Sequence, residues 1–306
     1  MYSDKIRDEE YRNNLLKYIN CEYGIAAKYI TPAKRGFYGE TWKLSASNAD
    51  YFLKVVYAEE HKPSYERSFP VIRHLCDHGI YFINKIVKTT LGCLYTTFDD
   101  AIVGLFDWID GDNIQNEATK IEEYKMLAQV YTVPAYGIDI AREDFTTKDA
   151  DEFFERWSRL DDKQVLTLLE KNCMKIEHRA KRLQIFSDLC RKDKNDFVIT
   201  HGDAGGNFIS NGNASFIVDW DSTKLAPPER DAWFCVHWDW AMAGFRDALN
   251  QNGIGYELRN ERFAYYCYWF FFFYLNAYLD AHTDVVTIED YIDGWMADNV
   301  KWADAV

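Results

Sequence analysis

The spacing of apolar residues changes period several times along the chain. Residues 4–19 place Ile6, Tyr11, Leu15, Tyr18 and Ile19 near one face of a 3.6-residue repeat, which predicts a helix. Three short segments with strand character follow: YGIAAKYI, ETWKLSAS and DYFLKVVY. Turn formers separate them, with Gly36 and Gly39 in KRGFYGE and Asn48 to Asp50 in SNAD. A helix is predicted within 62–78, kinked or split by Pro70. The strand-like runs FINKIVK, CLYTTF and AIVGLF complete a sheet with an inserted helix over residues 1–107.

After DWIDGD (107–112) the pattern turns helical, over 116–133, 149–160 and 162–192. A β interlude at 197–221 interrupts it, and helical character resumes to the end. The expected class is α+β: a small β-rich N-lobe over 1–107 and a larger helical C-lobe over 108–306, with the cleft between them as the default ligand site. Phe263 to Leu279 holds 17 uncharged residues. That falls short of the roughly 20 apolar residues of a membrane span, and several are Tyr or Asn, so a buried helix is expected and no membrane partner. The charged N-terminus does not read as a signal peptide.

Composition narrows the functional classes. A net charge of −14 argues against a nucleic-acid partner, which needs Lys and Arg to displace counterions. From Asp231 to Val306 there are 12 acids against 4 Lys or Arg, so this quarter alone carries −8. Seven cysteines, an odd number with no C-x-x-C pair, give no zinc or disulfide framework. They point to free thiols in a reducing, cytoplasmic setting.

Candidate chemistry concentrates in HGDAGGNFISNGNASFIVDWD, residues 201–221. A strand, FVIT, feeds a polar loop with three glycines, whose backbone is free to take unusual dihedrals. FIS and ASFIVD read as the arms of a hairpin turning at Asn211-Gly212. With the turn centred near Asn213, Asn207 and Asp219 fall opposite each other at the open end, and Asp203 lies on the loop beside them. Oxygen donors around one point suit Mg²⁺.

The pattern H-G-D-x-x-x-x-N, then a hydrophobic hairpin and I-V-D-W-D, resembles the aminoglycoside phosphotransferase family. That family has the two-lobed protein-kinase-like fold and includes choline, homoserine and methylthioribose kinases. The resemblance implies ATP as co-substrate and Mg²⁺, two ions, as cofactor. It implies Asp203 as the catalytic base and Asn207 and Asp219 as metal ligands, parts that phosphoryl transfer by kinases requires. His201 and Asp231 would support the catalytic loop. Lys54, on an alternating strand, would grip phosphate beneath the strand-turn-strand that holds Gly36 and Gly39. Its helix partner would be Glu66, with Glu59 and Glu60 as alternatives. Asp107, Trp108 and Ile109 would form the hinge that meets adenine. H-R-D, D-F-G and A-P-E are absent, which disfavours a protein kinase.

The expected acceptor is a small cationic or hydroxylated molecule. The acidic C-terminal quarter suits an aminoglycoside or aminocyclitol antibiotic, and hence a resistance enzyme, with Asp221, Asp239, Asp280, Asp284, Glu289 and Asp290 as candidate partners for ammonium groups. Trp233, Trp238, Trp240 and Trp269 leave open a choline-type acceptor held by cation–π attraction. A homoserine or sugar acceptor, or a nucleotide-binding module without catalysis, remain alternatives. The retention of Lys54, Asp203, Asn207 and Asp219 speaks against the module.

Overall fold

A computed structural model describes residues 8–33 and 39–306, so Ile6 and Gly36 lie outside the described residues. The chain divides into two compact units, residues 1–141 with 201–224 and residues 142–200 with 225–306. The boundary expected after Asp107 falls inside the first unit, which also takes in the 201–224 segment.

The first unit opens with helix α1 (Glu9–Tyr23), capped by the Asp8 carboxylate at its N-terminus and by left-handed Gly24 at its end. A five-stranded antiparallel sheet follows, with β1 (Ala27–Pro32), β2 (Glu40–Ala46), β3 (Asp50–Val56), β4 (Thr96–Phe98) and β5 (Ala101–Asp107) in the order β1-β2-β3-β5-β4. Leu53, Val55, Val103 and Leu105 alternate onto the face that packs on Leu15, Ile19 and Tyr23 of α1. Lys54 lies between two of these residues and opposite Thr41 and Gly104, so it projects from the other face.

That other face carries α2 (Lys62–Asp77). α2 runs unbroken through Pro70, contrary to the predicted split. Its buried positions Tyr65, Ser68, Phe69 and Ile72 follow helical spacing, and their packing outweighs one lost hydrogen bond. Phe69 needs a gap in β5. A Cβ on Gly104 would fall 2.5 Å from its ring. FINKIVK is not a strand. Ile86 makes one bridge to Phe106, while β4 pairs with residues 101–103 of the same edge. The edge is thus shared between two short segments. The helix α3 (Glu117–Tyr131) begins with a capping box between Asn116 and Thr119.

The second unit is mainly helical: α4 (Lys148–Trp157), α5 (Lys163–Lys171), α6 (Cys173–Cys190), α7 (Glu229–Ala232), α8 (Asp239–Gln251), α9 (Asn260–Asp280), α10 (Val285–Asp290) and α11 (Ala297–Asp304). The long helix expected over 162–192 is two, broken at Asn172, whose buried amide donates to the Leu168 carbonyl. α9 is the core helix, with Phe263 to Tyr268 and Phe270 to Phe272 buried, as its aromatic sequence led one to expect. Among the described residues no helix is long and apolar enough to cross a membrane.

Candidate active site

The segment 201–221 builds its geometry from one buried histidine. The Asp203 amide donates to His201 Nδ1 at 3.1 Å, which fixes the other nitrogen as the donor to the Val218 carbonyl at 2.9 Å. His201 is fully buried with its ring edge-on to Trp220, while Asp203 is exposed. The imidazole therefore ties the loop to the hairpin, and the carboxylate of Asp203 stands in solvent. Asn207 donates through Nδ2 to the Asp203 carbonyl at 2.7 Å and to its Oδ2 at 3.3 Å. This orients the amide and leaves its oxygen as an acceptor.

β6 (Phe208–Ser210) and β7 (Ser215–Ile217) form the hairpin, with Phe208 opposite Ile217 and Ser210 opposite Ser215. The register differs by one residue from the expected one. Asn211 to Ala214 form a four-residue loop held by the Asn211 side chain, so Asn207 pairs with Val218 and not with Asp219. Asp219 then turns in the left-handed region, at φ 65°, into a 3-10 turn over Trp220–Ser222. The turn keeps the acid at the open end despite the shifted pairing.

Lys54 reaches this turn. Its ammonium lies 2.5 Å from Asp219 Oδ1 and also bonds Asp221 Oδ2. Burial works against the charge of each partner. The two carboxylates nonetheless hold the ammonium well above its ordinary pKa. The Lys54 charge holds Asp219 well below the usual carboxylate range. Asp221, more buried and beside an ionised neighbour, is pushed up to about 8. The expected partner Glu66 is elsewhere. It is exposed and accepts from Tyr95 OH at 3.2 Å, whereas Tyr65 turns its ring to Lys54 at 4.6 Å. Glu59 pairs with Lys62 and Glu60 lies beside His61. Among the described residues the ion pairs of Lys54 run to Asp219 and Asp221 alone.

Of the hinge candidates, the Asp107 amide donates to the Lys85 carbonyl and the Trp108 amide to the Asp50 carbonyl. The backbone amides of residues 107 and 108 are therefore engaged within the first unit. Ile109 lies just beyond β5, and Gly39 packs against the Val55 carbonyl at the start of β2. Asp112 bridges Ser210, bringing the connector onto the hairpin so closely that a Cβ on Gly111 would meet Ile209 at 2.7 Å and the Ser210 oxygen at 2.8 Å. Gly111 also sits at φ 149°. Gly111→Ala is expected to destabilise the fold by about 1–3 kcal/mol, measured as a lower urea midpoint.

Sequence reasoning missed several supports. Asn113 and Gln115 donate to the Gly206 and Gly205 carbonyls of the loop. Lys120, paired with buried Glu123, lies 3.1 Å from where a Cβ on Gly205 would sit. The signal available was only a run of polar residues after the connector. In the second unit Asp231 lies half-buried on α7 beside Glu229 and Arg230, both buried. Arg230 donates to Thr200 Oγ1, and Glu229 accepts from Tyr256 OH and the Arg259 amide.

Burial pushes Glu229 up from 4.5 to about 7. The folded chain therefore binds this proton more tightly than the unfolded one. The stability it contributes is full below about pH 4.5 and is lost as pH rises through about 7. The difference between wild type and Glu229→Gln should carry this slope when urea midpoints are compared across that window.

The acids proposed for the acceptor are mostly engaged. Asp280 pairs with Arg156, Glu289 with Lys171 at 3.0 Å, and Asp284 caps α10 through the Thr287 amide. Asp239 is exposed in the first turn of α8 and Asp290 ends α10. Trp238 is 41% exposed and stacks on Trp240, whereas Trp233 is buried against Phe270 and Trp269 stacks on Phe273. A cavity of about 670 Å³ in the second unit is lined by Glu152, Glu155, Asp161, Asp162 and Asp280 together with Arg156, Arg159 and His282.

The profile of the phosphotransferase enzyme family matches residues 30–266. The chain belongs to that family. No curated protein matches the sequence. A spectinomycin phosphotransferase solved with ADP and spectinomycin superposes with a TM-score of 0.74 at 19% identity, covering 96% of this chain and 97% of that one. An amicoumacin kinase solved with AMP-PNP and Ca²⁺ gives 0.66 at 14%, covering 98% and 94%. An aminoglycoside phosphotransferase from Alicyclobacillus acidocaldarius gives 0.65 at 12%, covering 99% and 95%. The fold of this phosphotransferase is thus the two-lobed kinase fold, with the five-stranded sheet as N-lobe and the helices as C-lobe. Its activity is that of a small-molecule kinase.

Proposed function

We propose that this phosphotransferase moves the γ-phosphate of ATP to a hydroxyl of an amine-bearing small molecule, an aminoglycoside or aminocyclitol antibiotic. The observation that carries the reading is the meeting of exposed Asp203, oriented Asn207 and the Lys54–Asp219 pair at one end of a hairpin. Asp203 takes the proton of the acceptor hydroxyl. The hydroxyl oxygen then bonds to the γ-phosphorus as the bond to the β–γ bridging oxygen breaks, and ADP leaves with that electron pair. Lys54 binds phosphate oxygens, and His201 holds the loop.

Among the described residues no three His, Cys, Asp or Glu converge. The donors present are the Asp219 carboxylate and the Asn207 amide oxygen. A sparse all-oxygen set of this kind fits Mg²⁺, which keeps several waters and bridges substrate phosphates. When bound, Mg²⁺ would neutralise charge on the phosphates. Turnover is expected to vanish in excess chelator and return with added Mg²⁺. Unchanged turnover would remove Asn207 and Asp219 from the metal site.

The acceptor class is supported by the −8 charge of the last quarter and by neighbours solved with spectinomycin and with hygromycin B. A coupled ADP-release screen over aminoglycosides, spectinomycin-like aminocyclitols, choline, homoserine and thiosugars tests it. Turnover is expected with an aminoglycoside or aminocyclitol. Turnover confined to choline, homoserine or a thiosugar would overturn the acceptor class.

A further inference from the structure

We propose that Asp221, and not a glutamate of α2, is the residue that positions Lys54. Ser64 and Tyr65 then join the helix to the site in place of a helix-borne ion pair. The inference rests on the phosphoryl-transfer reading and deepens it.

A lysine that grips phosphate needs an oxygen acceptor to hold its ammonium when Asp219 is committed to a metal. Successive residues of a helix point about 100° apart. In α2, Tyr65, Ser68, Phe69 and Ile72 are the buried face. Glu66 is therefore turned away from the sheet. It lines a surface hollow with Pro63, Arg67, Pro70 and Asp139, and accepts from Tyr95. Bringing Glu66 to Lys54 would require rolling α2 until Tyr65 and Phe69 left their places. Phe69 is locked by Gly104, which lies directly across the sheet from Lys54.

The contacts that exist join the same three parts differently. Asp221 Oδ2 bonds the Lys54 ammonium. Ser64 Oγ donates to the Asp221 carbonyl at 2.6 Å, and the Tyr65 ring faces the ammonium. The two carboxylates on Lys54 are also unequally placed. Asp219 is 42% exposed and Asp221 only 19%. The outer acid is open to a ligand, and the inner one stays on the lysine.

The test compares wild type with Asp221→Asn, Asp221→Glu, Ser64→Ala and Glu66→Gln. Two quantities are read: the rate of Lys54 acylation by an amine-reactive ester without nucleotide, followed by peptide mass spectrometry, and KM for ATP against kcat. Circular dichroism melts report folding. Asp221→Asn is expected to speed Lys54 acylation several-fold and to raise KM for ATP about tenfold, with Asp221→Glu restoring part of both. Ser64→Ala is expected to move both in the same direction by less. Glu66→Gln is expected to leave acylation unchanged. Faster acylation in Glu66→Gln, with Asp221→Asn silent, would overturn the proposal. Because acylation is read without nucleotide, it decides the Asp221–Lys54 anchor separately from catalysis. Failure of the phosphoryl-transfer reading would appear instead as wild type that does not bind ATP while Asp221 still governs Lys54 reactivity.

Discussion

Asp203→Ala is expected to lower kcat by about 10²–10⁴-fold while ATP affinity changes little. The loss follows from the role of a general base, whose removal costs on this order. ATP affinity is preserved because Lys54 bonds Asp219 and Asp221 directly. Asp203 bonds Asn207 through its backbone carbonyl at 2.7 Å as well as through its side chain. Truncating the side chain therefore keeps the shorter of the two bonds that orient Asn207. His201 likewise meets the backbone amide of residue 203, which alanine retains. Isothermal titration with a non-hydrolysable ATP analogue, beside steady-state kinetics, separates the two effects. Near wild-type turnover would mean that another group takes the proton.

Lys54→Met should have the second large effect, and on two quantities. Transfer is expected to fall by about 10²-fold or more in kcat/KM, the scale seen when a charge-stabilising donor is removed from a site of this kind. Stability should fall too. Lys54 is the shared counter-ion of two adjacent carboxylates, and methionine fills the volume without the charge. Breaking a buried pair costs about 3–5 kcal/mol. Asp219 is 42% exposed, so solvent screens part of this loss and about 2 kcal/mol is a closer expectation. The sign can be checked through Asp219. Lys54 holds its carboxyl well below the usual carboxylate range, so the deficit of Lys54→Met should shrink as pH falls below about 4. Urea midpoints of both proteins across the acid range measure it. A deficit that grows on acidification would contradict the pairing.

The candidate catalytic segment was legible because its residues are neighbours in sequence. His201, Asp203 and Asn207 lie on one loop, and Asp219 follows on the next strand. The exact pairing was less legible. Asn-Gly suggested a tight turn, but the Asn211 side chain caps a four-residue loop, and that shifts the register by one. The sheet was readable from alternation, except where two segments share the β5 edge, which no local period encodes.

The acids that meet Lys54 were not legible for a physical reason. An acid one residue from the buried face of a helix points elsewhere, and the run Tyr65, Phe69, Ile72 already marked that face. The acids of the last quarter were legible as charge but not as a site. Their partners, Arg156 and Lys171, come from α4 and α5, more than a hundred residues away. Composition can report an acidic surface without telling which acids are already paired.

The most direct test of the central claim is the stoichiometry of transfer. Wild-type protein with ATP, Mg²⁺ and an acceptor that supports ADP release is followed by ³¹P NMR. ADP and a phosphate monoester of the acceptor should accumulate in equal amounts, and neither should accumulate with Asp203→Ala. ADP accompanied only by inorganic phosphate, or monoester formed undiminished by Asp203→Ala, would contradict it.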